Sequence, residues 1–298
     1  MPAPATEPSA WAREVVRGAY DVHVHVEPDL AQRRIDDLGL ARRFAELGLA
    51  GFVLKSHYAP TAERAAVVRA AVPGVDALGA ITLNAGVGGL NAQAVEIAAR
   101  GGARIVWLPT VDSENEASED GHKPAKQPVW RVIQDEFAAL GVAGDPVPVT
   151  PVALAAVLGV VARHGLVLAT GHLGRAEIHT VVEAALATGV EHVVVTHPDY
   201  PTQGVPIDEQ VELADKGALL ERCFAPIHTG KVSWDQTFAA VRATGAERNV
   251  LSTDLGQLTN PPVEDGLALM ADAFLEEGFG EDEIRTMAVV NTRRLAGV

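Results

Sequence analysis

The run Asp21-Val22-His23-Val24-His25-Val26 sets two histidines one residue apart among β-branched neighbours, which is the composition of a strand. Strand side chains alternate between faces, so both imidazoles leave on the same side. Glu27-Pro28-Asp29 ends the run. The pair therefore stands at the C-terminal end of its strand, where two rings can close on a metal ion. The missing ligands have to come from elsewhere in the chain.

The bulk properties narrow the choices. With 298 residues and 48% of them hydrophobic, the chain has ample material for a buried core and is not disordered over most of its length. A formal net charge of -15 excludes nucleic acid and anionic membrane as partners, because phosphates would be repelled over most of the surface. One cysteine, Cys223, precludes an intrachain disulfide and a thiolate cluster, and fits a reducing, cytoplasmic setting. The Ala- and Pro-rich start, Met1 to Ser9, lacks the pattern of a secretory signal and reads as a loose arm. The apolar stretch Val152 to Val161 is too short to span a bilayer.

Outward from the first strand, the rhythm is strand then helix. Helical spacing over Ile35 to Leu47 stops at Gly48, and the second strand is expected over Ala50 to His57. Helices over Thr61 to Ala71 and Asn91 to Ala99 flank strands at Asp76 to Leu83 and Ala103 to Pro109. A polar insertion, 111–149, then interrupts the pattern, with one short helix near Trp130 to Leu140 and with Trp130 and Phe137 to pack it. The alternation resumes with a helix over Pro151 to His164 capped by Thr150, and strands at Leu166 to His172, Glu191 to His197, Ala218 to Phe224 and Asn249 to Asp254. Their helices span Ala176 to Ala187, Ile207 to Lys216, Ser233 to Ala243 and Glu264 to Glu277, and a terminal helix follows over Glu281 to Leu295. Eight such units without a Gly-rich phosphate turn after the first strand point to an α/β fold, a (β/α)8 TIM barrel with an insertion after strand 4, in one domain over 1–298. The insertion is equally compatible with a lid over the barrel mouth and with a subunit contact in a homo-oligomer.

Barrel enzymes carry their chemistry at strand C-termini. Strand one offers His23 and His25, strand two Lys55 and His57 on one face, strand five His172, strand six His197 and strand eight Asp254. Five of the ten histidines thus sit at strand ends, which chance does not readily supply. The others, His122, His164, His179, His192 and His228, read as loop or helix residues. Lys55 buried alone would be costly, so it must be paired, deprotonated or modified.

On these residues the chain resembles the amidohydrolase superfamily of metal-dependent hydrolases: His23-x-His25 on strand one, His172 on strand five, His197 on strand six and Asp254 on strand eight match its pattern. The resemblance implies one or two divalent metals at the barrel mouth, a metal-bound hydroxide as nucleophile, and the strand-eight aspartate as proton carrier. It also implies, in binuclear members, a bridging carboxylated lysine or glutamate from strand four. Here strand four ends Trp107-Leu108-Pro109-Thr110, and the nearest acid, Glu114, lies in the insertion. Lys55, N6-carboxylated, is the candidate for that bridge. Residues Asp21 to His57 also resemble PHP-type phosphoesterases, whose second motif carries a histidine where His57 stands; the Asp-x-His those proteins carry near their end is missing at Asp254-Leu255-Gly256.

Imidazoles with a carboxylate suit Zn²⁺, Mn²⁺ or Fe²⁺, zinc first, rather than Ca²⁺. In this reading His23, His25 and Asp254 hold the buried ion, His172 and His197 a second, with Lys55 between them and His57 beside them. Asp254 moves the proton, and with one metal His197 is free to act as acid or oxyanion donor. Arg33, Arg34, Tyr58, Asn84, Glu221 and Gln257 are the candidate substrate contacts, with Arg222 and the Gly86-Val87-Gly88-Gly89 turn nearby. The expected activity is hydrolysis of a small-molecule amide, cyclic amide or lactone. A PHP-type phosphoesterase, or a non-hydrolytic member such as a metal-dependent decarboxylase, is the alternative.

Overall fold

In the computed structural model, which describes residues 7–117 and 129–298, eight parallel strands follow one another around a barrel in chain order. They are β1 (Tyr20–Val24), β2 (Gly51–Leu54), β3 (Asp76–Thr82), β4 (Ala103–Trp107), β5 (Val167–Ala169), β6 (His192–Val195), β7 (Leu219–Cys223) and β8 (Asn249–Ser252). The seam closes just past the ends of β8 and β1, where Asp254 N donates to His23 O and His25 N to Leu255 O, both at 2.8 Å. The expected (β/α)8 barrel is the observed one.

Helix α1 (Ala10–Val15) precedes the barrel, and α2 (Asp37–Leu47), α3 (Ala62–Ala71) and α4 (Ala92–Arg100) follow the first three strands. After β4 come α5 (Glu114–Ala117), α6 (Val129–Ala139) and α7 (Pro151–His164); α8 (Arg175–Ala187) and α9 (Ile207–Lys216) follow β5 and β6. Then α10 (Phe224–His228) and α11 (Trp234–Thr244) follow β7, and α12 (Val263–Glu276), α13 (Glu281–Arg285) and α14 (Asn291–Ala296) end the chain. Local chemistry sets the boundaries. The Asp36 carboxylate accepts from Gly39 N at the start of α2, the Thr150 hydroxyl from Ala153 N at the start of α7, and left-handed Gly48, Gly165 and Gly217 end α2, α7 and α9.

Inside the barrel Tyr20, Val22, Val53, Ile105, Trp107, Val167, Val194 and Val250 form one buried layer, with Leu295 and Ala296 of α14 packed against it. The outward residues, among them Val24, Leu54 and Leu251 on one side and Leu108, Leu168 and Val195 on the other, pack against the helices. In β1 the alternation is broken by a bulge: Asp21 pairs with Phe52 but Val24 with Leu54, so Val22 and His23 together oppose Val53. Tyr20 and Val22 face inward before it. After it, Val24 and Val26 face the helices, and His23 and His25 are turned to the mouth. The bulge is what aims both histidines at the site.

Several expectations are corrected. The arm ends before Ser9, which caps α1 and binds the Asp272 carboxylate through its N–H at 2.7 Å and its hydroxyl at 2.6 Å. Strand two stops at Leu54, because Ser56 and His57 give their carbonyls to Thr82 Oγ1 and Asn84 Nδ2 instead of to a neighbouring strand. Strand five stops at Ala169. The insertion holds a second helix, α5, and the terminal helix is divided by a π turn over Thr286–Val290. His192 opens β6 and is not on a loop or helix. His122 lies outside the described residues, as does the Trp130 side chain. Among the described residues no helix is long and apolar enough to cross a membrane.

Candidate metal centre

The five strand-end histidines close into a ring. Going round, ring centroids are 5.4 Å apart for His23 and His25, 4.9 Å for His25 and His57, 6.1 Å for His57 and His172, 5.1 Å for His172 and His197, and 6.3 Å for His197 and His23. Trp107 lies below, 5.6 Å from the His23 ring. Two ring members depend on glycine for their placement. A Cβ on Gly171 would stand 2.4 Å from Leu108 O, and one on Gly256 would stand 1.7 Å from His25 O, so no side chain fits at either position. His197 and Asp254 hold positive φ, 26° and 51°, a strained conformation for residues with side chains.

Asp254 Oδ1 lies 3.1 Å from His23 Nε2 and 3.1 Å from His25 Nε2. Three ligands about 2.0–2.1 Å from a tetrahedral ion are about 3.3 Å apart, so these atoms already hold the spacing of a coordination face. The protonation states of His25 and Asp254 agree. Burial and Arg33 hold His25 well below the usual imidazole range, leaving it neutral. Burial would raise Asp254, but its hydrogen bonds and proximity to His23 and His25 outweigh it and keep the carboxylate ionised. Burial and Lys55 push His23 down, yet Asp254 and Glu221 prevail and its pKa ends raised.

The ring nitrogens facing away from the mouth are also engaged. His23 Nδ1 is 3.0 Å from Glu221 Oε1, His172 Nδ1 3.1 Å from Glu116 Oε1, and His197 Nδ1 3.1 Å from Gln203 Oε1. A proton on Nδ1 leaves the Nε2 lone pair free, the form in which imidazole binds metal. Burial holds His197 down to about 3 and, with His25, Lys55 and His172, holds His57 well below the usual range, so both are neutral. His25 Nδ1 and His172 Nδ1 are the exceptions, both buried without a hydrogen bond; His172 meets Glu116 only as a close charge contact. The donor set thus fits a divalent cation.

The remaining expected site residues fall differently. Lys55 Nζ lies 2.8 Å from His23 Nε2 and 5.2 Å over the Trp107 ring, beside the first trio and not between His172 and His197. Burial lowers its pKa against the pull of Asp254 and Glu221. Among the described residues no third His, Cys or carboxylate joins His172 and His197 at ligand spacing. Glu221 sits behind His23, 2% exposed, and accepts from Ser252 Oγ at 2.8 Å. Asn84 is spent on Thr110 and His57, Gln257 on Asp254 O and Asn260, and Arg34 on the carbonyls of Leu258 and Asn260. Arg222 is buried away from the mouth on Asp199 and Asn249. Arg33 is paired to Asp29, and the Tyr58 ring stands edge-on to His57. Cys223, 3.8 Å from His23 Nδ1 and 3.3 Å from Ser252 Oγ, has a thiol pushed well up by burial and by Glu221, and with His23 and Glu221 it forms a second buried group at ligand spacing.

Sequence reasoning passed over Glu116, Gln203, Thr110 and Asp21. The first three come from loops whose course only the fold reveals. Asp21 is inside the opening motif. Its carboxylate, raised to about 7 by burial, accepts from Thr253 Oγ1 at 2.6 Å and Thr253 N at 3.1 Å, fastening β1 to the turn that carries Asp254.

Residues 18–221 match the sequence profile of DUF6282, a family of unknown function. The chain belongs to that family. No curated protein matches its sequence. Among solved structures, an amidohydrolase from Pseudomonas aeruginosa is 13% identical with a TM-score of 0.60, over 95% of this chain and 98% of that one. The phosphotriesterase homology protein from Escherichia coli, solved with phosphate in its active site, is 14% identical with a TM-score of 0.58, over 93% of this chain and 98% of that one. Ochratoxinase from A. niger is 14% identical with a TM-score of 0.54, over 94% of this chain and 71% of that one. At such identities the likeness shows the fold alone, a (β/α)8 barrel.

Proposed function

We propose that this DUF6282 chain is a metal-dependent hydrolase of a small-molecule amide, cyclic amide or lactone. The observation that carries the reading is the convergence of His23 Nε2 and His25 Nε2 on Asp254 Oδ1, each at 3.1 Å, inside a ring of five histidines. His23, His25 and Asp254 would hold one ion; His172 and His197 would hold a second only if a carbamate on Lys55 reached toward them from beside His23. Such an ion, zinc by preference of this donor set, lowers the pKa of water from about 15.7 toward about 7 and so supplies hydroxide at neutral pH.

The chain's own groups do the rest. Glu221 and Gln203 fix the tautomers of His23 and His197. The Asp254 side chain is 20% exposed, so its carboxylate reaches both the ligands and the mouth; it takes the proton of the attacking water and returns it to the leaving nitrogen or oxygen. Burial favours the neutral amine of Lys55, the form that adds carbon dioxide with loss of one proton; the carbamate so formed would carry a negative charge and could offer its oxygens to a cation. The neutral substrate classes suit a mouth in which Arg33 is already paired to Asp29.

The test is a panel of amides, cyclic amides, lactones and phosphate esters given to zinc-loaded protein. The reading expects turnover of a carbonyl substrate that His23→Ala and Asp254→Ala abolish with the fold intact. Phosphate release alone would move the protein to the phosphoesterase class, and full activity in either variant would refute the assignment.

A further inference from the structure

The hydrogen-bond network around His57 sets it apart from the other ring histidines. Asn84 is oriented without ambiguity, because its Oδ1 accepts the Thr110 N–H at 2.7 Å while its Nδ2 donates to His57 O at 2.9 Å. The same Nδ2 donates to Thr110 Oγ1 at 2.7 Å. The Thr110 hydroxyl, occupied as an acceptor, still has its own hydrogen to place, and its other partner among the described residues is His57 Nδ1, at 2.9 Å. His57 Nδ1 is therefore the acceptor. In the neutral ring the proton then sits on Nε2, on the far side from Thr110.

His23 and His197 show the opposite polarity, with Nδ1 donating to Glu221 and Gln203, and Glu116 stands 3.1 Å from His172 Nδ1. A protonated Nε2 cannot ligate a metal, but it can donate to an oxygen. We infer that His57 is not a metal ligand but a catalytic residue, presenting a neutral N–H to the substrate carbonyl oxygen that gains negative charge when the water adds. This role rests on the hydrolase reading and gives that site its fourth function, alongside metal binding, tautomer control and proton transfer. The ring's stacking on His25 at 4.9 Å places the donor beside the proposed first ion. A preorganised donor of this kind stabilises charge where it develops, and costs no rearrangement at that moment.

The tautomer can be read directly from long-range ¹H–¹⁵N spectra of metal-free, histidine-labelled protein, with the His57 signals identified by their loss in His57→Gln. The inference expects Nε2–H for His57 and Nδ1–H for His172 and His197. Thr110→Val, which removes the hydroxyl hydrogen, should abolish the His57 preference, and Thr110→Ser should keep it. Zinc titration of His57→Gln should give the wild-type stoichiometry. Nδ1–H at His57 in the wild type, or loss of one zinc equivalent in His57→Gln, overturns the inference. Failure of the wild type to bind zinc would sink the hydrolase reading instead, and the metal-free spectrum would still decide the tautomer.

Discussion

Glu116 Oε1 stands 3.1 Å from His172 Nδ1, so a carboxylate from the long connection between β4 and α7 reaches back to the end of β5. Strand four supplies no acid of its own, and α5 delivers one to a histidine instead. Thr202 donates to the same oxygen at 3.2 Å, and although burial alone would raise Glu116, His172 holds its pKa down.

Removing the charge at this position tests the arrangement. Partners that orient a ligating histidine typically contribute about 10–100-fold to metal affinity. Glu116→Gln should therefore weaken the second zinc equivalent by about that factor in calorimetry, and leave the first unchanged. Equal affinity in the variant would show that His172 takes no part in metal binding.

Acid should destabilise the metal-free protein well above the usual carboxylate range. His25, His57 and His197 all have folded pKa values below their model value of 6.5, His197 down to about 3. Below pH 6.5 the unfolded chain takes up protons that the folded one refuses, so stability is complete above that value and is lost as pH falls toward the folded pKa values. Each such histidine contributes about 1.4 kcal/mol per pH unit. His23, raised, has the opposite sign: its contribution is complete below 6.5 and is lost as pH rises. His192, also lowered by burial, acts with these three, while Asp21, raised to about 7, acts with His23 against them. Four groups outweigh two as pH falls from 6.5 to 5.5, and the urea midpoint should drop over that range. A flat profile would mean that the ring is hydrated and not buried.

Residue by residue, the readable part of this site was the part carried on strands. His23, His25, Lys55, His57 and Asp254 follow from strand ends and alternation, because barrel closure forces every strand end to one mouth. Alternation alone gave the right face for His23 and His25 but for an incomplete reason: the bulge opposite Val53 sets their direction, and a bulge depends on the neighbouring strand. Glu221 is visible in the sequence as a charge in strand seven, and so counts as a candidate substrate contact. What the sequence does not tell is depth, and Glu221 lies below His23, where it orients the ring. Gln203, Glu116 and Thr110 were out of reach, since their loops return to the mouth only through tertiary contacts. The helix ends were more legible, because Thr150, Gly165 and Gly217 act on their own neighbours.

Lys55 has an outcome that separates two roles. If it carries a carbamate, zinc-loaded protein prepared in ¹³C-bicarbonate should retain one labelled carbon that Lys55→Met lacks. Lys55→Ala should then lose metal and regain part of it with short carboxylic acids. Unchanged metal content in Lys55→Ala would place Lys55 on the substrate.

The most direct test of the metal centre is anomalous scattering at the zinc edge from crystals grown with zinc. The account predicts a peak about 2.0–2.2 Å from His23 Nε2, His25 Nε2 and an Asp254 oxygen, with Lys55 Nζ displaced from His23. A mouth without a peak, its Lys55 still against His23 at saturating zinc, would contradict it.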